Sequence, residues 1–366
     1  VASKVQAGVI GCGTISSAYF RGCTPYQHME IAACADLDLD RARAKAEEFG
    51  VPKVCTVEEL LADPDIQVVI NLTIPGAHAE VNLAAIEAGK HPHCEKPLAV
   101  TREDGRRTME AARAKGVRVG CAPDTFLGGG IQTCRKLIDD GAIGEPVAAT
   151  AFMAGHGHES WHPAPDFYYQ PGGGPMLDMG PYYLTALVNL IGPIRRVTGS
   201  TKATFPERTI TTEKRHGEKI PVEVSTHYAG IVDFTNGAIG TLMMSFDVWS
   251  HSLPRIEIYG TEGTMSVPDP NGFRGPVKIR KPGDKEWQEI PLTHNAEVSR
   301  GIGVADLAHG LLHNRLHRSS GDLGYHVLDV MEAFVDASES GSHVDIGSTC
   351  DRPEPLAPGL ELGELE

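Results

Sequence analysis

Gly8-Val9-Ile10-Gly11-Cys12-Gly13-Thr14-Ile15-Ser16 is the stretch whose reading decides the fold. Residues 4–10 form a short apolar run, and residues 18–22 read as the first turns of a helix. Strand, glycine turn and helix in that order open a parallel α/β unit. Gly11 and Gly13 let the backbone turn tightly and approach a pyrophosphate, with Thr14 and Ile15 completing the turn, and the following helix offers its free N–H groups. Ser16 stands where a third glycine would finish G-x-G-x-x-G, so the pattern is degenerate and needs support from the rest of the chain.

The next unit supplies it. Residues 30–35 read as a buried strand ending in Asp36, at the station about 20 residues past the turn where an acid meets the ribose of a dinucleotide. A carboxylate there accepts hydrogen bonds from the ribose hydroxyls of NAD and repels the 2′-phosphate of NADP, so NAD is expected over NADP. The other reading of Asp36 is a cap for the helix at 39–49; the upstream glycines favour the ribose. Gly50 stops that helix, Thr56-Val57-Glu58-Glu59 is a capping box, and residues 66–72 form another buried strand. The loop Thr73-Ile74-Pro75-Gly76-Ala77-His78 then lies at the cofactor edge of the sheet, where His78 either contacts the cofactor or simply starts the next helix.

Residues 93–97, His93-Cys94-Glu95-Lys96-Pro97, carry a cation to the end of the following strand. Open α/β sheets bind their ligands at the carboxyl ends of their strands, which points Lys96 at chemistry; the competing reading is a surface lysine. A helix at 102–115 and a strand at 117–122 complete the set, and Pro123 closes it.

At 366 residues the chain exceeds one ordinary core, and about 100–200 residues per domain suggests two. The expected division is a dinucleotide-binding domain over 1–123, a substrate-binding and oligomerisation domain over 124–352, and a loose tail over 353–366, rich in Pro, Leu and Glu. A formal charge of −15 argues against nucleic acid or anionic membrane as a partner and leaves small molecules. No apolar run reaches the roughly 18 residues of a membrane span, and no signal-peptide segment precedes the first strand. The eight cysteines include no C-x-x-C pair, so reduced thiols and a cytoplasmic setting are expected.

The second domain reads as sheet-dominated after a linking helix at 128–140. Strands are expected at 146–153, 196–203, 222–234, 238–248 and 255–260, with Asn236-Gly237 as a hairpin turn. The helix at 176–191 carries Asp178 and Tyr182 one turn apart on one face. The loop at 155–169 holds His156, His158, Trp161 and His162 among glycines, without the spacing of a metal site; no metal is expected. Trp161 and His162 are candidate substrate contacts, and Asp124, just past the last strand of the first domain, is expected to face the same cleft. A late amphipathic helix is expected at 322–338.

Gly8-Val9-Ile10-Gly11-Cys12-Gly13, Thr73-x-Pro75-x-x-His78 and Glu95-Lys96-Pro97-Leu98 together resemble the glucose-fructose oxidoreductase / inositol dehydrogenase / rhizopine-catabolism (Gfo/Idh/MocA) family. The run at 172–182 is similar to that family's second motif, in which an aspartate, here Asp178, precedes a catalytic histidine by four residues. Tyr182 occupies the histidine's place, as in glucose-fructose oxidoreductase and dihydrodiol dehydrogenase. The resemblance implies a Rossmann domain followed by an α/β domain with a large, open, mostly antiparallel sheet. It further implies a sugar or polyol substrate between the domains, a homodimer or homotetramer built on the sheet's outer face, and a cis Lys96–Pro97 bond. It places Gly11, Gly13, Thr14, Ile15, Asp36, Thr73, Pro75, His78, Glu95 and Lys96 at NAD, and Asp124, Trp161, His162 and Asp178 at the substrate. Lys96 and Tyr182 would be the catalytic pair, with the lysine's charge depressing the tyrosine's pKa. Two other functions fit the same residues: a glycoside-cleaving enzyme that oxidises, eliminates and reduces with the same NAD, and a cofactor-sensing regulator without catalysis.

Overall fold

The computed structural model describes residues 4–366. Its first third alternates β1 (Val5–Ile10), α1 (Ser16–Cys23), β2 (Met29–Ala35), α2 (Leu39–Phe49), β3 (Lys53–Cys55), α3 (Val57–Ala62), β4 (Val68–Asn71), α4 (His78–Glu87), β5 (His91–Cys94), α5 (Arg102–Lys115) and β6 (Gly120–Cys121). The six strands are parallel and ordered β3-β2-β1-β4-β5-β6. Because β4 joins β1 on the side opposite β2, a crevice opens beyond the carboxyl ends of β1 and β4, where such sheets bind ligands. All four residues of β4 are buried, as a strand covered on both faces requires. The helix ends carry the chemistry the sequence suggested: Thr56 and Glu59 form a reciprocal capping box, and Gly50 takes φ +71° after α2.

The remainder runs α6 (Gly129–Asp139), β7 (Pro146–Ala154), α7 (Gly174–Leu190), β8 (Ile194–Lys202), β9 (Glu207–Thr209), β10 (Lys219–Pro221), β11 (His227–Phe234), β12 (Ile239–Ser245), β13 (Ile256–Gly260), β14 (Thr264–Val267), β15 (Val277–Arg280), β16 (Gln288–Ile290), α8 (Ile302–His313), α9 (Gly321–Ser340) and β17 (Val344–Asp345). Nine of these strands make one sheet, β16-β15-β14-β13-β7-β12-β11-β8-β17, antiparallel except for the β7–β12 pair. The Asn236-Gly237 turn joins β11 to β12 with Gly237 at φ +93°. Helices α7 and α9 cover one face of the sheet. On the other face Val147, Ile231 and Ile239 are about half exposed. Helix α9 also packs on α5, where Arg102 donates to Asp329 (2.6 Å) and Asp336 (2.8 Å).

Three expectations change. Residues 222–226 do not extend β11; instead 219–221 pairs with 207–209 as a small hairpin. Helix α8, absent from the sequence reading, is buried almost all round through its first turns, so it shows no apolar stripe against a polar face. The segment 353–366 is not loose: Leu365 is 3% exposed, Leu356 donates its N–H to Gln132 (2.8 Å), and Arg135 donates to the Pro353 carbonyl (2.7 Å). Leu356 and Leu365 pack without helix or strand and so leave no periodic trace.

Candidate active site

At the end of β1, Gly11 has φ +97°, and a Cβ there would stand 2.6 Å from the Leu72 carbonyl oxygen, so only glycine fits. A Cβ on Gly13 would meet nothing within 4 Å, leaving open space beside the turn. Ser16, in the third-glycine position, donates its hydroxyl to the Gly13 carbonyl (2.7 Å) and closes the turn. No side chain caps α1 at Ile15. A close-approach turn leading to an uncapped helix start fits a pyrophosphate.

Asp36 is not the cap of α2. Asp38 is, accepting from the amides of Asp40 and Arg41. Asp36, its side chain 8% exposed, accepts from the Cys12 amide (2.8 Å) and the Asp38 amide (2.9 Å), with Arg41 at 3.4 Å. The acid is thereby pinned to the glycine turn.

The loop after β4 is organised by buried Asn71, which accepts from the Thr73 hydroxyl (2.7 Å) and donates to the His78 carbonyl (3.0 Å) and to Asn82 (2.9 Å). Pro75 opens a short 3-10 turn and leaves Ile74 exposed. His78 is buried, with Nδ1 at 2.6 Å from the Pro97 carbonyl and Nε2 at 3.1 Å from that of Thr73. It starts α4 and ties this loop to the Lys96–Pro97 bend rather than presenting its ring to the crevice. Burial lowers its pKa.

The Lys96–Pro97 peptide is cis. Glu95 accepts from the Tyr19 hydroxyl of α1 (2.9 Å) and from the Lys96 amide (2.8 Å), joining the glycine helix to the lysine. Lys96 Nζ then crosses to α7, donating to the Asp178 carbonyl (2.8 Å) and to its carboxylate (3.0 Å) and lying 5.3 Å from the centre of the Tyr182 ring. Burial works most strongly against the ammonium charge, but Asp178, Tyr182 and Glu95 together outweigh it and raise the pKa of Lys96. Tyr182 departs from expectation. Burial raises its pKa, and Lys96 offsets only part of that. Beside Asp178, a cavity of about 500 Å³ opens along the sheet, lined among others by Phe152, His158, Met179, Phe246 and Arg255.

An NAD-binding Rossmann-fold oxidoreductase profile, GFO/IDH/MocA, matches residues 5–122, and the GFO/IDH/MocA C-terminal domain profile matches residues 131–266. The chain belongs to the Gfo/Idh/MocA family. It is 29% identical to inositol 2-dehydrogenase 3 of Saccharopolyspora erythraea across 95% of this chain and 97% of that protein. It is 40% identical to 1,5-anhydro-D-fructose reductase of Ensifer adhaerens over 40% of this chain, a match that spans 44% of the reductase. A solved levoglucosan dehydrogenase in its apo form has the same fold, with a TM-score of 0.81 at 23% identity over 95% of this chain and all of that one.

Within this Gfo/Idh/MocA frame, Asp124 lies away from the cleft, whereas the rings of Trp161 and His162 sit 5.1 Å from His158 and 5.3 Å from Tyr168. Asp124 is 1% exposed, and its carboxylate accepts from the amides of Gly301 (2.8 Å) and Gly303 (3.0 Å), anchoring the start of α8 instead of facing the cleft. Burial raises its pKa to about 6. Trp161 is 61% exposed, and His162 accepts from the amide of Ala164 (3.1 Å) in a local turn. The histidine that faces Asp178 is His158, with Nε2 3.7 Å from the carboxylate and its ring stacked on Tyr168 at 3.6 Å. Burial lowers its pKa to about 4. Among the described residues no group of three or more His, Cys, Asp or Glu is arranged for a metal, and no helix is long and apolar enough to cross a membrane. All eight cysteines are unpaired and buried. Arg300, on the loop before α8, was missed altogether: its guanidinium donates to the Tyr182 hydroxyl (3.3 Å) and to Asn271 (2.7 Å). No local pattern marks an arginine whose partner lies in another element. Asn71 had a signal, a polar residue at the end of an apolar strand.

Proposed function

We propose that this chain is an NAD-dependent dehydrogenase or reductase acting on a carbinol of a sugar, polyol or sugar derivative, with Lys96 and Tyr182 at the reacting oxygen. The observation that carries this reading is the bond from Lys96 Nζ, on the NAD-binding domain, to Asp178 of α7, with Tyr182 one turn further along. The bound nicotinamide supplies the two-electron oxidant or reductant. Lys96, held protonated by Asp178, stabilises negative charge on the substrate oxygen. Tyr182 exchanges the hydroxyl proton, and Asp178 orients the substrate by accepting from a neighbouring hydroxyl. The glycine turn, Thr14, Ile15, Thr73, Pro75 and Asp36 hold the dinucleotide, with Asp36 selecting NAD over NADP, and Glu95 and His78 brace the lysine loop from behind.

His158 is the second candidate for proton exchange, because its ring faces Asp178 and stays neutral above about pH 4. The sheet face with Val147, Ile231 and Ile239 is the surface proposed to join copies of the chain. A screen of sugars and polyols for NADH formation tests the function. Net NADH with at least one carries the reading. Cleavage of a glycoside without net NADH turns it to the oxidation-elimination-reduction enzyme, and NAD binding without any turnover turns it to the regulator.

A further inference from the structure

Tyr182 is 6% exposed, and its hydroxyl has one protein partner among the described residues, Arg300 Nη2 at 3.3 Å. The guanidinium carbon lies 5.9 Å from the ring centre, while Lys96 Nζ approaches the same ring at 5.3 Å. Two cations therefore flank one phenol. Arg300 has a fixed seat. Asn271 accepts from it at 2.7 Å, and the next residue, Gly301, is held through its amide by the buried carboxylate of Asp124 at 2.8 Å. Its carbonyl presses on α1: a Cβ at Gly22 would stand 1.8 Å from the Arg300 oxygen. The loop is thus clamped between the glycine helix and α8, and it ends on the hydroxyl of the residue in the family motif's histidine place.

We propose that Arg300 is a positioning residue for Tyr182, orienting the phenol and stabilising its anionic form, and that Asp124 and Gly22 serve by seating the Arg300 loop. This rests on the reading of Tyr182 as the proton-exchanging group. The division of labour follows from geometry: Lys96 is bonded to Asp178, so its charge is shared, whereas Arg300 donates directly to the phenol oxygen. Burial raises the pKa of Tyr182, and both Lys96 and Arg300 oppose it; Glu95 acts in the same direction as burial. Tyr19 and Tyr168 share this field. Without an opposing cation at the hydroxyl, the buried phenol would give up its proton reluctantly.

The test is an ultraviolet difference titration of tyrosinate in the free protein, with Tyr182→Phe identifying the Tyr182 component. An opposite charge at this range moves a pKa by about 1–3 units, so in Arg300→Gln the Tyr182 transition should rise by that amount. Arg300→Lys should recover part of the shift, and Gly22→Ala, which displaces the loop without touching the charge, should raise the transition by less. NADH binding followed by fluorescence confirms that the Rossmann domain is intact in each variant. A Tyr182 transition at the same pH in wild type and Arg300→Gln overturns the proposal; should that variant not fold, the same null result in Arg300→Lys and Gly22→Ala does so. The titration needs no substrate. Full turnover by Tyr182→Phe, in contrast, overturns the proton-exchange reading whatever Arg300 does.

Discussion

Asp178→Asn keeps the shape of the side chain and removes the charge facing Lys96. The ammonium lies 3.0 Å from the carboxylate, with the two side chains 18% and 17% exposed. At an effective dielectric of about 20, charges that close attract by on the order of 5 kcal/mol. Desolvation of both groups cancels part of this, and the variant keeps the main-chain carbonyl at 2.8 Å as an acceptor for Lys96. A net loss of about 1–3 kcal/mol in stability at neutral pH is therefore expected. The pH dependence has a definite sign. Lys96 titrates above its unfolded-state value because Asp178, with Tyr182 and Glu95, outweighs the opposing effect of burial, so the pair's contribution is complete below about pH 10.4 and is lost as pH rises through the higher folded-state value. Urea unfolding at neutral pH measures the first effect. Acylation of Lys96, followed by mass spectrometry across alkaline pH, measures the second, because only the neutral amine reacts; its midpoint should fall by about 1–3 units in the variant. An unchanged urea midpoint together with an unchanged acylation midpoint would refute the pairing.

Replacing Asp36 by serine should relax the preference for NAD over NADP, read from nicotinamide fluorescence titrations; tighter NADP binding by the wild type would sink its role at the ribose. Gly11→Ala places a Cβ 2.6 Å from the Leu72 carbonyl at φ +97°, so NAD affinity should collapse and stability should fall by about 1–3 kcal/mol. Asp124, raised by burial to about 6, binds its proton more tightly in the folded chain than in the unfolded one. Its contribution is full below about pH 4 and fades as pH rises through 6, so wild type should lose on the order of 2–3 kcal/mol relative to Asp124→Asn between those values. Parallel stability curves for the two proteins would show that Asp124 titrates normally.

The first sheet was legible because β1, β2 and β4 are largely apolar runs set among clear punctuation: Gly11-x-Gly13 after β1, Asp36 after β2, Gly50 after α2 and the Thr56 box before α3. The pair Asp178 and Tyr182 was legible as one helical face. Their meeting with Lys96 came from the order of motifs, since nothing local states that a loop of one domain reaches a helix of the other. Asp124 was misread because a buried carboxylate serving two backbone amides looks in sequence like any acid at a strand end. Arg300 and His158 depend on contacts between distant segments, and the loop at 155–169 holds too many histidines for composition to choose among them. Helix α8 and the packed segment at 353–366 are both shaped by what surrounds them, which periodicity does not report.

The central claim, that Lys96 and Tyr182 act on one substrate oxygen across the domain crevice, is tested most directly by a double-mutant cycle on NADH formation with a sugar or polyol that the wild type turns over. Tyr182→Phe should lower kcat by about 10² to 10⁴-fold with NAD affinity nearly unchanged, and Lys96→Ala should cost at least as much. The account predicts that the double variant loses much less than the product of the two single losses, as groups acting as one unit do. Losses that multiply, or a Tyr182→Phe enzyme with wild-type turnover, would contradict it.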